Sequence, residues 1–382
     1  VKPRLGFTLE ARDQGGTQAR AGRLETAHGS VATPVFMPVG TQGAVKAMTP
    51  RDLREVGAQI ILANSYHLHL RPGEETVRLA GGLHRFMGWY GPILTDSGGY
   101  QVLSLARLRK VTDDGVSFRS HVDGSERFLS PELVVEIQLA LGSDVMMTLD
   151  ECPPSQAERP VLAAAVERTV AWARRCRARA DRAWEEGELR PGHGLFAIVQ
   201  GGLDTALRRR CAEELVDMGF DGYAIGGLSL GEPVPAMLDT VWATTRLLPA
   251  DRPRYFMGLG TPAEIIGVVA RGVDMFDCVL PTRLGRHGTV MTRRGNVVVR
   301  NARYAKDQGP LEEGCTCYAC RNFSRAYVRH LIAAGEITGL ILCTYHNLHF
   351  LLRFTAEMRQ AILAGRFGEW SAARLAELAR SG

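Results

Sequence analysis

Leu195-Phe196-Ala197-Ile198-Val199-Gln200-Gly201-Gly202 runs five apolar residues together and then ends them with an amide and two glycines. An unbroken apolar run of that length reads as a strand covered on both faces, with its polar end where the chain emerges. The unit recurs on either side. Gln59–Ala63 ends at Asn64, Pro92–Thr95 at Asp96, and Asp144–Leu149 at Asp150. Tyr223–Ile225 ends at Gly226-Gly227, Tyr255–Met257 at Gly258, and Val273–Phe276 at Asp277. Helical stretches with readable ends lie between. Thr49-Pro50-Arg51-Asp52 opens one that Gly57 closes, and Ser130-Pro131-Glu132 opens one that Gly142 closes. Thr261-x-x-Glu264 reads as a capping box.

Seven strand runs alternating with helices give a parallel sheet with both faces covered. A doubly wound sheet and a (β/α)8 barrel share that rhythm. The barrel is favoured because no Gly-x-Gly-x-x-Gly follows the first strand and polar residues end nearly every run. A barrel gathers all those ends at one mouth, whereas an open sheet gathers only those at its switch point. The first forty residues differ: Leu5–Ala11 alternates, and Gly22–Glu25 and Ser30–Val39 carry β-branched residues between glycines, an N-terminal β-strand cap. Val116–Ser130, with Asp123-Gly124 inside it, reads as a hairpin with a tight turn.

Composition narrows the class. The chain has 382 residues, 45% hydrophobic and 23% charged, which excludes disordered and collagen-like proteins. No stretch reaches the roughly 18 apolar residues that cross a bilayer, and the start lacks a signal-peptide pattern. No membrane and a cytoplasmic location are expected. The net charge of +5 is unevenly placed. Residues 282–330 hold ten basic side chains against Asp307, Glu312 and Glu313, a local +7 that leaves −2 for the remainder. A polyanion is the partner such a segment fits.

Cys315-x-Cys317-x-x-Cys320 lies in that segment. Three thiols within six residues, in a chain unlike a secreted one, read as a zinc knuckle. A structural zinc takes four ligands, so His330, Cys343, His346 and His349 are candidates for the fourth. One structural Zn²⁺ per chain is expected, pinning a segment of about 286–350 within a single catalytic barrel spanning 1–382. Cys152 and Cys278 sit next to strand ends and could line a pocket.

Asp96-Ser97-Gly98-Gly99-Tyr100-Gln101 puts a carboxylate at a strand end, then two glycines and an aromatic, which suits a flat ring close to the backbone. Asp277, in Asp274-Met275-Phe276-Asp277-Cys278, adds a second carboxylate just ahead of the basic segment. Two carboxylates at one mouth are the minimum for cleaving a glycosidic bond, one attacking the sugar carbon and one handling the leaving-group proton. Asp150 and Gln200 would hydrogen-bond a base edge.

These motifs together resemble the tRNA-guanine transglycosylase family. The resemblance rests on Asp96–Gln101, Leu149-Asp150-Glu151-Cys152, Val199-Gln200-Gly201-Gly202, Gly226-Gly227-Leu228-Ser229-Leu230-Gly231-Glu232, residues 276–285, and the cysteine cluster with His346-Asn347. It covers essentially the whole chain in order. It implies a (β/α)8 barrel with a zinc-binding insertion, and exchange of the wobble guanine (position 34) of tRNAs with GU(N) anticodons. The bacterial type inserts 7-aminomethyl-7-deazaguanine, preQ1, in queuosine biosynthesis through a covalent enzyme–RNA intermediate. By resemblance Asp277 is the nucleophile and Asp96 the general acid/base. Asp274 faces the other way, since residues 275 and 277 share a strand face. Ser97, Gly98, Gly99, Asp150, Gln200, Gly227 and Leu228 would hold the base, with Tyr100 and Met257 sandwiching its ring. His346 becomes the fourth zinc ligand. Thr282, Arg283, Leu284, Gly285 and Arg286 match the stretch that reads bases flanking the wobble position. Gly258-Leu259-Gly260-Thr261-Pro262-Ala263-Glu264, glycines leading into a helix, would take a phosphate. The anticodon loop must present its guanine extruded. The family also implies a homodimer. An archaeal-type enzyme acting elsewhere in tRNA usually carries a further C-terminal domain, and only about thirty helical residues follow Phe350 here. A non-catalytic RNA-binding subunit requires lost carboxylates, and all four site groups are present. A generic glycosidase explains neither the zinc cluster nor the basic segment.

Overall fold

The structure, a computed structural model, describes residues 4–105 and 109–379. Its strands begin with β1 (Gly6–Arg12), β2 (Arg20–Thr26) and β3 (Gly29–Thr33), an antiparallel sheet paired in that order. Then come β4 (Val35–Gly40), β5 (Ile61–Ala63) and β6 (Ile93–Thr95). A second antiparallel sheet follows, of β7 (Arg109–Thr112), β8 (Gly115–Arg119) and β9 (Glu126–Leu129). The chain continues through β10 (Val145–Met147), β11 (Gly194–Val199), β12 (Gly222–Ile225), β13 (Arg254–Phe256) and β14 (Met275–Cys278). Among the described residues β4, β5, β6 and β10 to β14 pair in parallel and close into an eight-stranded barrel, β14 meeting β4. The (β/α)8 expectation stands.

Side chains on the barrel strands alternate between two cores. Val35, Met37, Val39, Leu62, Leu94, Val145, Met147, Phe196, Ile198, Ala224, Tyr255 and Met275 fill the interior. Their neighbours Phe36, Ile61, Ile93, Met146, Ala197, Tyr223, Phe256 and Phe276 pack outward in the larger core. Leu24 and Val31 of the N-terminal sheet, with Leu5 just ahead of it, join the interior cluster, so that sheet plugs the foot of the barrel.

Three details depart from the sequence reading. The run 30–39 is two strands, because Pro34 has no N–H to continue a ladder, and its second half is the eighth barrel strand. The hairpin around Asp123-Gly124 gains a third strand, β7, and its turn spans 120–125 and is not tight, with Ser120 N–H bonded to the Ser125 carbonyl. Thr261 and Glu264 form no capping box: their side chains bond each other and neither reaches a backbone N–H.

The basic segment forms a hairpin of β15 (Thr289–Thr292) and β16 (Gly295–Val298), short helices, and then the 27-residue helix Ile337–Leu363. That helix continues well past residue 350. Its Asn347 accepts from Met291 N–H at 2.7 Å and donates to the Pro281 and Thr289 carbonyls at 3.0 Å. Near its other end Arg359 donates to the carbonyls of Gly22 (2.9 Å) and Thr33 (2.5 Å) and pairs with Glu10.

Asp274, placed outward by strand parity, is fully buried and takes a two-pronged bond from Arg20 (2.9 and 2.5 Å) plus the Arg254 N–H at 2.6 Å. Removing one partner of such a buried pair strands the other charge. Asp274→Ala is expected to cost about 3–5 kcal/mol in urea denaturation; a loss below roughly 1 kcal/mol refutes this role.

Candidate active site

The alternation that fills the barrel also aims its ends. Asn64, Asp96, Gln200, Met257 and Asp277 each lie two residues beyond an inward side chain, at Leu62, Leu94, Ile198, Tyr255 and Met275. They therefore meet above the interior core, in a cleft of about 380 Å³ that Ser97, Gly98, Gly99, Tyr100, Asp150, Gly227 and Leu228 also line. Asp277 belongs to β14 itself, not to the loop after it. Every base-site residue expected from the sequence borders this one cleft.

The carboxylates are held differently. Asp96 accepts from Ser65 N–H at 2.9 Å and from the Asn64 amide, yet burial raises its carboxyl to about 7, with Asp277 and Asp150 adding repulsion. Burial also raises Asp277, but the Tyr255 hydroxyl (2.5 Å) and Gly258 N–H (3.0 Å) work in the opposite direction by bonding its Oδ1. No other residue's donor bonds its Oδ2 among the described residues. Asp150 is lifted by burial to about 6, opposed by Gln200 Nε2 at 2.7 Å and Ser97 Oγ at 3.3 Å.

Close approach explains the glycines. A Cβ at Gly99 would come within 2.6 Å of the Asp150 carbonyl, and one at Gly227 within 2.3 Å of Gln200 Oε1. Arg208 sits buried behind them, donating to the carbonyls of Gly202 (2.6 Å), Gly226 (2.7 Å) and Val199 (3.3 Å). Glu232 accepts from Ser229 N–H and from Leu230 N–H at 2.9 Å. The Leu228–Ser229 peptide is thereby fixed with its N–H toward Glu232, which turns the Leu228 carbonyl away from that carboxylate. Ser229 takes the positive φ (60°) this turn requires. Leu230 and Cys152 line the cleft beside it.

Sequence reasoning missed Asn64, Tyr255 and Arg208. The first two carry the same parity signal as Asp96 and Met257; Arg208 has none short of the fold.

The expected RNA-contacting stretches are only partly open. Arg283 is exposed, but Thr282 and Gly285 are buried, Gly285 against Thr344 of the long helix, and Leu284 and Arg286 are half-buried. Gly258 is exposed but spends its N–H on Asp277; Leu259 and Gly260 are buried, Thr261, Pro262 and Glu264 half-buried, and Ala263 exposed. Pro262 and the Glu264 carboxylate open the next helix, which disfavours an anion there.

Cys315, Cys317, Cys320 and His346 converge in the basic segment, with ligand atoms all within 4.8 Å of one another. His346 Nδ1 lies 3.7, 3.6 and 3.3 Å from the three Sγ atoms. A tetrahedral zinc with ordinary Zn–S and Zn–N bonds sets S to N edges of about 3.6 Å. The donors fit that ion. His346 gives its other nitrogen to the Met291 carbonyl at 2.9 Å, which fixes the ring. His330 and Cys343 stay outside the cluster, and His349 reaches only Cys315, at 3.8 Å.

A parallel barrel with two buried carboxylates held by different donors at its mouth fits the class of glycosyl-transfer enzymes. Known proteins narrow the class. A profile of queuine tRNA-ribosyltransferase matches residues 13–380. The chain is 57% identical to the queuine tRNA-ribosyltransferase of Pelotomaculum thermopropionicum over 362 residues, 95% of each chain. It is likewise 57% identical to that of Desulforudis audaxviator over 364 residues, 95% of this chain and 96% of that one. With the enzyme of Lysinibacillus sphaericus identity is 54% over 354 residues, 93% and 91% of the two chains. The chain belongs to the queuine tRNA-ribosyltransferase family, a family of glycosyltransferases.

The raised Asp96 has a measurable consequence. Its folded value, about 7 against 3.8, favours folding fully only below the lower figure, and that contribution is lost as pH rises through the higher one. Wild type should therefore lose more thermal stability between mildly acidic and mildly alkaline buffer than Asp96→Asn does. Equal losses in calorimetry would remove the argument.

Proposed function

We propose that the chain exchanges the wobble guanine of tRNA for preQ1 by double displacement. The observation that carries this is the opposed setting of the two mouth carboxylates. Asp277, held by Tyr255 and Gly258, has a free Oδ2 to attack ribose C1′. The C1′–N9 bond breaks as the C1′–O bond forms, and the departing guanine takes the Asp96 proton. Asp96, now ionised, removes a proton from the incoming base, whose nitrogen displaces Asp277 from C1′. Asp150 and the Gln200 amide, bonded to each other, present acceptor and donor groups to the base edge, and Gln200 Oε1 is buried with no other partner. The Leu228 carbonyl, turned from Glu232, would accept the aminomethyl cation of preQ1. Trapping with a wobble-guanine tRNA should give an enzyme–RNA adduct that survives denaturation, absent in Asp277→Ala. An adduct that persists in that variant rules out Asp277 as nucleophile. Asp96→Ala should lower turnover at least about 100-fold, the usual minimum for a lost acid/base, while tRNA still binds.

RNA would lie across the exposed basic side chains Arg283, Arg294, Arg300, Arg303, Lys306 and Arg321. Arg293 and Arg325 are already spent on Glu357 and Asp307. Zn²⁺ at the Cys3His cluster would pin this surface, and with four protein ligands it leaves no position for substrate. His346→Ala should release the metal and weaken tRNA binding while the barrel stays folded, and His349→Ala should do neither. If both variants keep the metal, the assigned ligand set is wrong.

Base choice follows from Leu230. Its four-carbon side chain lines the cleft and would take up room that the cyclopentenediol of queuine needs, and overpacking of this kind costs about 1–3 kcal/mol. PreQ1 and guanine should compete with labelled guanine and queuine should not, with Leu230→Gly beginning to admit it. Queuine competing as well as preQ1 in wild type defeats the steric argument.

A further inference from the structure

At the foot of the barrel, opposite the mouth, three imidazoles converge on one fully buried carboxylate. Asp144 lies just before β10, His193 just before β11, and His28 in the turn joining β2 to β3. Asp144 Oδ1 bonds His28 Nδ1 at 2.8 Å, and its Oδ2 takes Ile93 N–H at 2.8 Å and His84 Nε2 at 3.1 Å. Burial opposes the charge, but these donors overcome it and keep the carboxyl below its ordinary value. The His84 ring stacks on His28 with centroids 3.5 Å apart and planes 14° from parallel. Ile93 and His84 thus fix the carboxylate with Oδ1 turned toward His28.

His193 makes this more than an ion pair. Its Nδ1 lies 3.0 Å from the Arg190 carbonyl, which can only accept, so Nδ1 carries the proton. That leaves Nε2 as the ring nitrogen with a lone pair to offer. The other histidine in a metal-type cluster of this chain, His346, is held the same way, one nitrogen on a backbone carbonyl and the other free for the cluster. One ligand atom from each of His28, Asp144 and His193 lies within 4.8 Å of the other two. Tetrahedral ligands at ordinary Zn–N and Zn–O lengths sit roughly 3.3 Å apart, within reach of small side-chain rotations. The His28 side chain is one-third exposed, which gives an ion a way in.

We propose that His28, Asp144 and His193 form a second metal site, for a borderline divalent ion of the Zn²⁺ type, distinct from the Cys3His cluster. With three protein ligands it keeps an open position to solvent and binds more weakly than the closed cluster. The ion would tie the N-terminal sheet to the feet of β10 and β11. It lies at the strand starts, so its role is stability and not the exchange reaction.

Zinc stoichiometry by elemental analysis, after equilibration of the intact protein with micromolar free Zn²⁺, tests this. Two equivalents per chain are expected in wild type and one in His28→Ala and in His193→Gln, with guanine exchange unchanged in both. His346→Ala should lose the other equivalent and keep this one. Zinc should also raise the Tm of His346→Ala, and not that of His346→Ala/His28→Ala. A single equivalent in wild type overturns the proposal, as does a second equivalent that survives either substitution.

Discussion

Alternation along a strand is the constraint from which the site is built. Successive side chains must point to opposite faces, so once Met275 and Tyr255 face the barrel interior, Asp277 and Met257 cannot avoid the mouth. The same alternation turns Asp274 outward to Arg20, which makes two aspartates three residues apart unlike in every respect. One is a fully bonded anchor; the other keeps an oxygen free. A barrel repeats this on eight strands at once. Groups from distant parts of the chain therefore reach one cleft without any loop having to fold precisely by itself.

The mouth then stores electrostatic tension. Three carboxylates share a buried space, and each is moved upward by loss of water. What separates them is the number and type of donors: Tyr255 and Gly258 on Asp277, an amide on Asp150, and an amide with a backbone N–H on Asp96. Identical side chains can be set apart only by such neighbours, which is how a site assigns them different roles. Glycines 99 and 227 serve the same end, letting backbone approach where a methyl would collide.

Much of this was legible from residue order. Seven of the eight barrel strands announce themselves as apolar runs with polar ends. The eighth hid because the β-branched run 30–39 reads straight through Pro34, whose missing N–H is a local fact with a topological outcome. The cleft residues were legible because their parity is local. Which side of the short helix Leu280–Gly285 stays open was not, since Thr344, far along the chain, decides that Gly285 is covered. Tyr255 shares Met257's strand face, yet a tyrosine in a strand looks like packing, and only the β13–β14 pairing shows its hydroxyl reaching a carboxylate.

The helix Ile337–Leu363 bears on how this chain can change over evolutionary time. It carries His346 at the thiol cluster, Asn347 under the hairpin and the residue 281 carbonyl, and Arg359 on the N-terminal sheet. Each added residue turns a helix by about 100° and lengthens it by about 1.5 Å. An insertion or deletion between positions 347 and 359 would therefore swing one set of contacts out of reach of the other. This rod is a ruler whose spacing descendants must inherit intact.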